Sequence, residues 1–194
     1  MTQPSPEQAR EMLADIDQIA KRMRNTTAAG ALGPNLVIWG LAWAAGFTMS
    51  RLWPEKSGFL WTALMIVGGL ASAAVGFKQH RQRLVLSDAE KKVGVQMLAF
   101  WLTVFAFATA LLFVLKPKDG RDICVIFVLF SMMAYVIMGI WLKSGVLAVV
   151  GFAVGTATTI GRLWLNEPQF LIWMAIFGGG GLFFPGLYIQ WRWR

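Results

Sequence analysis

The chain has 194 residues, 57% of them apolar and only 14% charged. Its mean hydropathy is +0.57. That balance excludes a soluble domain, because too little polar surface exists to cover so much apolar side chain. The formal net charge of +8 is a weaker guide than its placement, which is argued below to mark membrane topology, so no nucleic-acid partner is expected.

Residues 1–29 read as a cytoplasmic amphipathic helix. In SPEQAREMLADIDQIAKRMR, Ser5 and Gln8 have the spacing of a capping box, and Pro6 suits the first helical position. Ala9, Met12, Leu13, Ile16, Ile19, Ala20 and Met23 then recur every three or four residues, which is one face of an α-helix. From Ser5 to Arg24 the acids Glu7, Glu11, Asp15 and Asp17 balance the bases Arg10, Lys21, Arg22 and Arg24. A helix lying on anionic lipid is ordinarily basic, so the balance favours a protein partner or self-association over the membrane surface. Met12, Leu13, Ile16, Ile19 and Met23 are the candidate contact residues.

Residues 30–194 form a transmembrane domain in this reading. Six apolar stretches, at about 34–53, 58–77, 95–115, 122–142, 145–165 and 169–190, each approach the ~20 residues that cross ~30 Å of hydrocarbon. The expected fold is an all-α integral membrane bundle of three helical hairpins. Because the first thirty residues are polar and periodic, the first span is expected to serve as an uncleaved anchor. Short connections carrying Pro54 and Pro168 turn the chain straight back.

Alternate loops place twelve of the 18 lysines and arginines on the side that holds both termini. The positive-inside rule then predicts a cell (inner) membrane protein with its N-terminus and C-terminus in the cytoplasm. Most of the ten tryptophans fall near span ends, where an indole is stable among headgroups.

SRLWPEKSGF at 50–59 reappears 111 residues later as GRLWLNEPQF at 161–170. At that shift Gly40 meets Gly151, Arg51 meets Arg162, Trp53 meets Trp164, and Gly68 and Gly69 meet Gly179 and Gly180. The middle hairpin joins weakly at a shift of 63, where Pro54 meets Pro117 and Gly76 meets Gly139. Each unit holds an even number of spans, so the copies enter the membrane in one direction, as parallel repeats. Small residues four apart, as in Gly68, Ser72 and Gly76 or Gly151, Gly155 and Thr159, let helix backbones approach closely. The outer hairpins are therefore expected to pack on each other and the bulkier middle pair to lie at the edge. Four glycines followed by Pro185 predict a kinked or unwound last span.

Gly68, Ser72, Gly76, Gly151, Gly155, Gly179, Gly180 and Pro185 are thus candidates for helix packing or for a pore, the latter with Thr156, Thr158 and Thr159. Arg51 and Arg162 are expected to snorkel at span ends; alternatively they line an outer mouth that attracts anions. Asp119, Arg121 and Asp122 read as a solvated turn. No enzyme is expected. His80 is the only histidine and Cys124 the only cysteine, no Asp, Glu, Lys or Arg falls near a span midplane, and neither cofactor nor metal is implied.

In layout the chain resembles the six-span bacterial membrane proteins of the HdeD acid-resistance type, which are built as three hairpins with glycine-rich spans and both ends in the cytoplasm. The resemblance covers 34–190, carries no residue roles, and leaves the amphipathic leader as an addition. Two functions follow as expectations. The first is a non-catalytic protein acting through association, as an accessory subunit or homo-oligomer. The second is a channel or facilitator for a small neutral or anionic solute.

Overall fold

The computed structural model describes Met12, Asp15 and residues 32–82 and 88–192, with the side chains of 79–93 and 192 outside that description. Every regular element among the described residues is helical. The helices are α1 (32–52), α2 (Ser57–Gln82), α3 (Asp88–Leu115), α4 (Gly120–Trp141), α5 (Gly145–Trp164), α6 (Glu167–Trp173) and α7 (Gly180–Arg192). A 3₁₀ turn, Pro54–Lys56, leads into α2, and a π-helical stretch, Met174–Gly179, joins α6 to α7.

Five stretches are long and apolar enough to cross a membrane: Pro54–Lys78, Gly94–Leu115, Gly120–Trp141, Gly145–Trp164 and Glu167–Trp191. The first predicted span forms its helix but is the least apolar. Asn35, Trp39, Trp43 and the glycines at 33, 40 and 46 dilute its hydropathy.

The helix ends explain the tight connections. Asp119 caps α4, its carboxylate accepting from the Arg121 backbone N–H at 2.8 Å. Asn166 and Gln169 form a capping box at the start of α6, with Pro168 in its first turn. Between α4 and α5 the Ser144 N–H reaches the Gly139 carbonyl at 2.8 Å and the Lys143 N–H reaches Ile140 at 3.2 Å. That is a Schellman ending, and it holds Lys143 at φ 50°.

The predicted break in the last span takes a different form. The helix runs on without unwinding, and its irregularity is the π stretch, which starts about one turn before the glycine run begins and has Gly178 and Gly179 buried within it. Pro185 is accommodated inside α7.

Neighbouring helices follow one another in the order α2, α1, α7, α5, α4, α3. Trp61 of α2 wedges into α1, where its ring would lie 2.8 Å from a Cβ on Gly46 and stands edge-on to Phe47 at 5.0 Å. Between α3 and α4, Trp101 meets Tyr135 at 5.8 Å. The core runs through Leu36, Phe47, Met132, Leu147, Phe170, Met174 and Leu182. Only 6% of the α2 apolar stretch and 11% of that of α3 are buried, against 39% for α4. Glycine content alone therefore misjudges the edges. The bulky α4 is central, because its own Gly139 and the facing Gly151 admit α5, while glycine-rich α2 is peripheral.

Candidate functional site

Of the candidate residues, Gly151, Gly155 and Gly179 lie at two helix crossings. At the first, α1 packs antiparallel on α7. A Cβ on Gly40 would fall 2.5 Å from the Phe183 nitrogen and 2.8 Å from the Gly179 oxygen, and one on Gly186 would fall 2.8 Å from the Val37 nitrogen. At the second, α5 packs antiparallel on α4. There a Cβ on Gly151 would fall 2.6 Å from the Met132 oxygen and 3.0 Å from the Val136 nitrogen, and one on Gly139 would fall 2.5 Å from the Ala148 nitrogen. Real Cβ atoms do not approach backbone that closely, so glycine is required at these four positions.

Of the remaining glycine candidates, Gly155 lies 3.5 Å from the Met132 side chain and Gly68 packs at 3.3 Å on the Trp39 ring. Gly180 meets only Phe184 of its own helix, and Gly76 meets nothing within 4 Å among the described residues. The Ser72 Oγ is buried with no hydrogen-bond partner among the described residues.

The three threonines that sequence grouped into a pore point in different directions from α5. Thr158 is fully buried, bonding the Val154 carbonyl at 2.8 Å and lying 3.6 Å from the Met174 sulfur. Thr156 and Thr159 are exposed, and the Thr159 hydroxyl bonds back to Gly155 at 3.1 Å. Thr48, Thr62, Thr103 and Ser131 likewise bond the carbonyl four residues earlier in their own helix.

At the end of the bundle that holds the 116–119 and 165–166 connections, two ion pairs form. Arg162 Nε donates to Asp122 Oδ1 at 2.6 Å, which ties α5 to α4 across 40 residues of chain. Arg121 engages Asp119 at 2.6 Å and sends a second nitrogen to the Leu165 carbonyl at 3.3 Å. Those bonds hold the Asp119 carboxyl below its ordinary value of 3.8, the Arg121 side-chain bond first and its backbone bond next. The turn read as merely solvated is thus an interhelix clasp. Arg51, which matches Arg162 in sequence, is exposed and has no such pair among the described residues.

Two tryptophans expected at the membrane interface act as wedges within hairpins. Trp61 Nε1 donates to Ser50 Oγ at 3.0 Å, and Ser50 in turn shares a hydrogen bond with Ser57 at 2.8 Å. Trp173 Nε1 donates to the Ala157 carbonyl at 2.8 Å, beside Gly161. Trp53, Trp164 and Trp191 are exposed, as an interfacial belt requires. In the leader, Met12 is helical and 59% exposed; Leu13, Ile16, Ile19 and Met23 lie outside the described residues.

Comparison with known proteins adds no further constraint: no family model, curated protein or solved structure matches the chain.

Proposed function

We propose that this chain is a six-span membrane protein that acts by association, without catalysing a reaction, as an accessory subunit or homo-oligomer. Its termini lie in the cytoplasm, and its amphipathic leader, with Met12, Leu13, Ile16, Ile19 and Met23 on the contact face, recruits a protein partner. The observation that carries this reading is the occupancy of the glycines. Gly151, Gly179, Gly139 and Gly186 are each pressed on by backbone or side-chain atoms of a neighbouring helix, which is packing and leaves them no solute path. The hydroxyls nearby are spent on their own helices.

The same crossings support an internal repeat of three hairpins. Val37 and Ala148, like Gly40 and Gly151, stand 111 positions apart, and each pair touches corresponding atoms of its partner helix. On the receiving helices, Met132, Val136 and Gly139 correspond to Gly179, Phe183 and Gly186 at a constant shift of 47. We infer kinship with the HdeD type from the three-hairpin layout alone.

The test is native mass spectrometry of protein released gently from its own membrane, with and without residues 1–29. A stoichiometric partner or defined oligomer that disappears with the leader supports association. A lone monomer in both versions overturns it. The facilitator reading keeps one observation in its favour, the π stretch Met174–Gly179, since π segments recur at functional sites. Flux through liposomes that Gly179→Leu abolishes, with folding intact, would establish it.

A further inference from the structure

We draw no further inference here: the strongest candidate, the small-residue face that Gly69, Ala73 and Gly76 form on α2, is exposed among the described residues, and nothing in the structure shows what covers it.

Discussion

Gly151 and Met132 are in backbone contact: a single added Cβ at 151 would stand 2.6 Å from the Met132 carbonyl oxygen. Helices in lipid have no hydrophobic effect to press them together, so this approach is what holds α4 against α5. Gly151→Val and Gly40→Val should each force their helices apart. The expected loss is about 1–3 kcal/mol or more, by analogy with overpacked cores. Gly94→Ala, inside α3 with nothing within 4 Å of a Cβ among the described residues, should instead gain about 0.5–1 kcal/mol from helix propensity. Thermal unfolding of the three variants in one detergent checks the contrast. Equal behaviour would mean that the glycines are not packing determinants.

The pH dependence of the clasp is carried by Asp119. Its carboxyl lies below 3.8 in the folded chain because the ionised form accepts bonds from Arg121. A depressed folded value contributes stability that is fully present above the ordinary carboxylate range. It is lost as pH falls through the folded value. Asp119→Asn keeps a competent helix cap but removes the charge. The wild type should therefore melt above the variant at pH 7, and the gap should close as the pH falls below the ordinary carboxylate range. A gap that is the same at both ends of the titration would show that the charge contributes nothing.

How much of this was legible in sequence depends on which physical rule each feature obeys. Apolar length is imposed by the bilayer, so the five more apolar spans stand out, and α1 is blurred by its tryptophans, its glycines and Asn35. The glycines at 40 and 151 were visible as a repeat, because the demand for a missing side chain leaves its mark in sequence. Whether a glycine face is covered leaves no mark, and so Gly76, with no neighbour among the described residues, reads the same as Gly186 beneath Val37. The pairing of Arg162 with Asp122 was hidden for another reason. Sequence showed both residues near span ends, but only the antiparallel packing of α5 on α4 brings them together. The π stretch was displaced from where glycine propensity alone would put a break, since Trp173 and Met174 anchor it against α5.

Lys143 stands where helix endings favour glycine. At φ 50° a Cβ crowds the following carbonyl, a strain of about 1–2 kcal/mol per residue. Lys143→Gly should relieve most of it, keep the hydrogen bonds from 143 and 144 to the end of α4, and raise stability by up to about 1 kcal/mol. Lys143→Ala, which keeps the Cβ and drops the charge, separates strain from electrostatics. If the alanine variant gains as much as the glycine variant, the backbone argument fails.

The clasp between Arg162 and Asp122 also bears on the idea of an anion-attracting outer mouth. With its charge matched at 2.6 Å, Arg162 is a tether between helices, and Arg51 is the member of the repeated pair left exposed. The side chains remain 34% and 39% accessible, so water screens the pair and its coupling should be small. A double-mutant cycle with Arg162→Gln and Asp122→Asn measures that coupling directly. Salt should weaken it, because the Debye length shortens from about 10 Å at 0.1 M to about 3 Å at 1 M. In the same membranes, a solute flux that responds to Arg162→Gln but not to Asp122→Asn would identify Arg162 as an anion contact and contradict the tether. Equal losses of stability from the two single variants, with a coupling that shrinks in salt, are what a tether produces.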